Sequence, residues 1–144
     1  MNAKKFLGQF LRKREEIDIL VAAKEKLQEA ATNATVDPTA ERVQSSGNKD
    51  RLGLITSRIA DKQAEIDKEI AEAWELLSEI TTMINRVNNE SASVLLLYYI
   101  QGLRHMEIAE REHISYATER RRYDKGVAEI DIMIQNDTSI CDIV

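Results

Sequence analysis

Between Leu52 and Val87 the chain sets an apolar residue at every seventh position: Leu52, Ile59, Ile66, Ala73, Ile80 and Val87. Ile70, Leu77 and Ile84 follow Ile66, Ala73 and Ile80 by four residues, while Thr56 and Gln63 interrupt the seam. Two apolar positions per heptad make a narrow stripe along a helix, the pattern of coiled-coil packing. Polar residues within such a seam fix register at some cost in stability. A helix of this extent would be about 55 Å long at roughly 1.5 Å per residue. A chain of 144 residues hardly covers such a rod. The seam is therefore expected to pack against the first helix, a second copy, or both. Ile59, Ile66, Ile70, Leu77, Ile80 and Ile84 are the expected oligomerisation residues, with a dimer as the first expectation.

Few residues are available to interrupt helices: the chain has five glycines and one proline. Few tight turns mean long elements, and the expected class is all-α. Residues 3–31 read as a helix, with Phe6, Phe10, Ile17, Leu20, Leu27 and Ala31 at spacings of three, four and seven. Lys13 and Lys24 sit on that same stripe, so the buried face is patchy. Residues 32–50 hold the proline and a Ser-Ser-Gly-Asn cluster and read as a loop, anchored by Val36 and Val43, with Asn48 or Asp50 capping the helix that follows. A connection this long is expected to be functional or mobile. The expected organisation is a helical hairpin or coiled-coil region over 1–90, a trihelical helix-turn-helix module over 91–135, and a tail at 136–144 with too little pattern to place.

The second half carries the functional signal. Residues 91–100, SASVLLLYYI, fit a helix buried on most sides; QGL punctuates it. A short helix over RHMEIAERE, a turn at HIS and a last helix from Tyr116 complete the order of a helix-turn-helix. Ile108 and Ala109 are expected to face the last helix, with Ile114 plugging the angle between the two. The Ser115 hydroxyl is placed to cap the first turn. Tyr123, Val127, Ile130 and Ile134 give the last helix one inward face. Tyr116, Ala117, Arg120 and Arg121 are left outward near its N-terminal end, the end that enters a major groove in such motifs. The expected DNA-binding residues are Ser115, Tyr116, Ala117, Thr118, Arg120, Arg121, Arg122 and Lys125. Arg121 is assigned to base edges, and Arg120 and Arg122 to phosphates or nearby glutamates. The competing reading makes the arginine triplet a solvated face. Residues 91–126 hold six basic and five acidic groups, a net +1 in a chain of formal charge −5.

The stretch LLLYYIQGLRHMEIAEREHISYATERRRYDKGV resembles region 4 of the sigma-70 superfamily, the module that reads the promoter −35 element. The likeness runs through Y-I-Q-G-L, E-I-A and I-S followed by an arginine-rich helix. It is specific over residues 94–127 and loose over most of the rest. The whole chain is similar to small phage-encoded regulators of late operons, near the ArpU and RinA groups. The resemblance implies a transcription regulator acting on late-operon promoters, with double-stranded DNA as partner and bacterial RNA polymerase as a further one. Glu112 and Glu119 depart from the pattern, which has apolar residues there, and His113 replaces the usual glycine. A buried, unpartnered glutamate is costly, so both are expected to reach solvent or pair with Arg111, Arg120 or Arg122.

Other functions find little support. There is no Gly-rich phosphate loop, nucleophile motif or paired carboxylate, so the chain is not read as an enzyme, and no cofactor is expected. His105 and His113 stand eight residues apart without cysteine nearby and read as surface or turn histidines, not metal ligands. Trp74 is expected to pack helix against helix. Cys141 is alone and points to a reducing compartment. No run suggests a membrane span or a secretory signal, and the expected location is the cytoplasm of a bacterial host. Two alternatives stand beside the regulator: a small terminase-like DNA-binding protein, whose DNA-reading motif usually comes first in the chain, and a coiled-coil adaptor that binds only proteins.

Overall fold

The computed structural model describes residues 1–35 and 45–143, all-helical among these with no strand. Six helices follow in order: α1 Ala3–Leu7, α2 Gln9–Thr35, α3 Ser45–Ile84, α4 Asn89–Tyr99, α5 His105–Arg111 and α6 Tyr116–Ile143. Met1–Lys13 and Ala73–Val144 form one compact unit, and Arg14–Glu72 a second.

The first helix expected over 3–31 is two helices. Asn2 caps α1 by accepting from the Lys5 amide at 2.9 Å, and Gly8 ends it before α2 begins. Much of the expected loop at 32–50, with Val36 and Val43, lies outside the described residues. Its described ends are helical, since α2 continues to Thr35 and α3 starts at Ser45. Asn48 and Asp50 therefore lie inside the helix and do not cap it. Seven-residue repetition starts only at Leu52, whereas a helix can begin earlier on polar residues.

The core of the first unit gathers Ala3, Leu7, Ile80, Ile84, Val87, Val94, Leu95, Tyr99, Ile108, Tyr123, Val127 and Ile130. The last members of the heptad seam thus lie in one core with α4, α5 and α6, and the expected boundary at 90 falls inside this unit. A direct tie joins its ends, as the Ala3 amide donates to Asp131 Oδ1 at 2.6 Å. Trp74 does not pack as expected: it is 66% exposed. The tail expected at 136–144 continues α6 as far as Ile143.

The second unit is thinner. Ile55 and Ile66 are buried, while Ile17, Leu20, Leu27, Leu52 and Ile59 are half-buried. Lys24, the cation on the α2 stripe, donates to Oε1 of Gln63, the residue that interrupts the α3 seam. Gln63 Nε2 donates onward to Asp67 Oδ1 at 2.7 Å. Two polar interruptions therefore satisfy one another at half-buried positions.

Within the first unit α6 packs on α4, α5 and α1. Asn88 caps α4 through the Glu90 amide. Gly102, at φ +74°, turns the chain out of it, and the Leu103 amide returns to the Leu97 carbonyl at 3.1 Å. A left-handed residue just past a helix end is the position glycine adopts with least strain. At Gly126 a Cβ would stand 2.8 Å from Leu95 Cδ1 and 3.1 Å from Ser91 Cβ. The absent side chain is what lets α6 approach α4 so closely.

Candidate functional site

The turn between α5 and α6 sets the geometry. Ile108 and Ala109 are buried on α5, and the Ile114 amide donates back to the Ala109 carbonyl at 3.0 Å. His113 takes φ +56°, a left-handed conformation that glycine adopts with least strain. Ser115 Oγ then accepts from the Thr118 amide at 3.1 Å, capping α6, and donates to Thr118 Oγ1 at 2.9 Å.

Beyond the cap, Ala117, Arg121 and Lys125 are exposed at four-residue steps along one face of α6. Tyr116 stands beside them, 52% exposed. The arginine triplet divides three ways. Arg121 faces solvent, with one long bond to Thr118 Oγ1 at 3.4 Å. Arg122 turns to α4, where Nε lies 3.6 Å from Glu90 Oε2. Arg120 is half-buried, its guanidinium 5.3 Å from the Tyr123 ring centre and its Nη2 3.8 Å from Asp124 Oδ1.

The two irregular glutamates find partners other than the arginines expected for them. Glu112 accepts from Ser93 Oγ at 2.7 Å. Glu119 is fully buried, and its Oε1 lies 2.8 Å from Nδ1 of His105. The other imidazole nitrogen, Nε2, is 2.7 Å from Nη1 of Arg120. His105 is accordingly no free surface histidine: its side chain is 17% exposed. It stacks on Tyr98 with ring centres 4.6 Å apart and meets Tyr123 edge-on at 4.7 Å. Guanidinium only donates, so Nε2 accepts and the imidazole proton sits on Nδ1, donating to Glu119. Glu119 Oε2 is buried without a hydrogen-bond partner.

Below this cluster the Tyr99 and Tyr123 hydroxyls share a 2.6 Å hydrogen bond. Burial, first among the causes, pushes both phenols above their usual range. They stay neutral at ordinary pH.

The residues that sequence reasoning passed over are His105 and Tyr98. A signal for the first was present. Glu119 precedes Tyr123 by four residues and so lies on the inward stripe of α6, where a carboxylate requires a partner. His105 precedes Ala109 by four on the facing stripe of α5. Two polar residues on facing inward stripes point to each other.

Among the described residues no group of histidine, cysteine, aspartate and glutamate is arranged to hold a metal ion. No described helix is long and apolar enough to cross a membrane. Comparison with protein-family models, curated proteins and solved structures gives no match.

Proposed function

We propose that α5, its turn and α6 act as a helix-turn-helix, and that α6 reads double-stranded DNA in the manner of sigma region 4. The chain is then a phage transcription regulator of late-operon type. The observation that carries this reading is the capped N-terminal half of α6, which leaves Tyr116, Ala117, Arg121 and Lys125 exposed together. Small Ala117 lets the helix approach a groove floor, and Arg121 is long enough to reach base edges. Arginine can address guanine through two hydrogen bonds at once. Lys125, one turn further along, suits a backbone phosphate. In this reading α2 and α3 form the coiled-coil region, and the protein works as a dimer, which doubles the phosphate contacts.

An electrophoretic shift against random and phage-promoter duplexes, at two salt concentrations, tests it. Binding that weakens with salt and prefers promoter sequence is expected. No shift with any duplex at the lower salt would overturn it. A protein-binding adaptor is the second reading, favoured by the exposure of Trp74 on α3.

A further inference from the structure

Arg120 lies on the reading helix, yet its half-exposed guanidinium is held by an imidazole. We propose that His105 is a positioning residue for Arg120 and gates it by protonation. The neutral ring keeps the guanidinium docked; the protonated ring releases it towards an anion. The inference rests on the DNA reading above for its consequence, but not for its mechanism.

The mechanism follows from two hydrogen bonds. In the docked state Nδ1–H donates to Glu119 Oε1 at 2.8 Å, and Nε2 accepts from Arg120 Nη1 at 2.7 Å. A proton added to the ring must go to Nε2. Two N–H donors and two positive charges would then face each other at hydrogen-bond distance. Arg120 leaves, because its side chain is the more exposed of the two, 39% against 17% for His105. His105 stays, because Glu119 is fully buried and gains a cationic partner.

The groups around the ring set the direction. From α6 it faces Glu119, which favours the protonated form, and Arg120, which opposes it; Asp124 stands behind Arg120 at 3.8 Å. From α4 it faces Tyr98, and Tyr123 of α6 meets its edge. Drawing Arg120 away removes the opposing charge and leaves the favouring one. A DNA phosphate that recruits Arg120 therefore promotes proton uptake, and by reciprocity protons promote binding. Affinity should rise as pH falls, by up to about tenfold per pH unit for one linked proton.

Two measurements on the full chain test this. Nitrogen-15 NMR of the free protein should show the Nδ1–H tautomer at pH 8, and an Arg120 guanidinium that is ordered there but averaged once His105 has titrated. Arg120→Lys identifies its signals. An Arg120 that stays ordered through the titration, or an Nε2–H tautomer at pH 8, overturns the gate. Fluorescence anisotropy with a labelled duplex at constant ionic strength, from pH 6 to 8.5, reads the consequence. The wild-type protein should tighten as pH falls, and His105→Gln, checked for folding by circular dichroism, should lose that slope. Equal slopes in the two proteins overturn the gate while leaving the DNA reading intact. If the wild-type protein binds at no pH, the DNA reading fails, and the NMR result alone decides the gate.

Discussion

Glu119 and His105 show why a buried charge has to be judged with its partner. Glu119 is fully buried and its Oε2 has no hydrogen bond, so the single bond from His105 is its main polar contact. Removing one partner of a buried pair costs roughly 3–5 kcal/mol, whereas replacing both partners together with apolar groups of similar size is often neutral. His105→Ala and Glu119→Leu should therefore each destabilise the protein by about 3 kcal/mol, while the double variant His105→Phe with Glu119→Leu should stay within about 1 kcal/mol of wild type. Urea denaturation measures all three. If the double variant costs as much as either single one, the pair stabilises the fold directly and this account is wrong. The arginines beside it differ in the same concrete way. Arg122, expected at phosphates or at Glu112 and Glu119, is turned to Glu90 on α4, so Arg122→Ala should change DNA affinity little. Arg121→Ala should flatten the preference among sequences, since one two-point contact to guanine carries about 1–3 kcal/mol of discrimination. Titrations with specific and scrambled duplexes separate the two. Loss of affinity in Arg122→Ala with none in Arg121→Ala would reverse the assignment and rotate α6 in the groove.

Helix packing depends on features smaller than any motif. At Gly126 an added methyl group would meet Ser91 Cβ at 3.1 Å and Leu95 Cδ1 at 2.8 Å. The leucine tip can swing aside, but Ser91 Cβ is fixed to the α4 backbone. Gly126→Ala should cost about 1–3 kcal/mol as overpacking, despite alanine's better helix propensity. A rise in melting temperature would show that α4 and α6 can separate without loss. Apolar spacing made the helices legible: the heptads of α3, the dense run of α4 and the inward stripe of α6 are all present in the letters. The Ser115 cap was legible too, because a hydroxyl before an amphipathic run has a defined task. What spacing could not carry were effects decided by neighbours. Gly8 divides the first helix although the stripe of Phe6 and Phe10 runs across it. Residues 45–50 are helical despite turn-forming letters, and residues 136–143 are helical despite a faint pattern. At the candidate site the outward face of α6 was legible, whereas the docking of Arg120 was not. It depends on His105, a residue on another helix whose place on the α5 stripe gains meaning only when set against the buried Glu119.

The balance between folding and self-association turns on which seam residues a single chain already uses. Ile66, Ile80 and Ile84 are buried within one chain, whereas Ile70 is 38% exposed and Leu77 half-buried. The buried residues cannot also serve a second copy, so the proposed dimer falls to the exposed part of the stripe. Ile80→Asp should accordingly unfold the protein, while Ile70→Asp should leave it folded and monomeric by light scattering. The same pair of states can be read from DNA binding. The chain carries a net charge of −5, so affinity depends on local cations and not on a general attraction to the duplex. Each phosphate contact adds about 0.9 to the slope of log affinity against log salt. With Arg120 and Lys125 on phosphates, one copy should give a slope of roughly −2, and a dimer on a two-site duplex about twice that. Ile70→Asp should halve the slope without changing which single site is preferred. A wild-type protein that is monomeric at micromolar concentration and already shows the smaller slope would mean that the seam is satisfied inside one chain, with α6 acting alone.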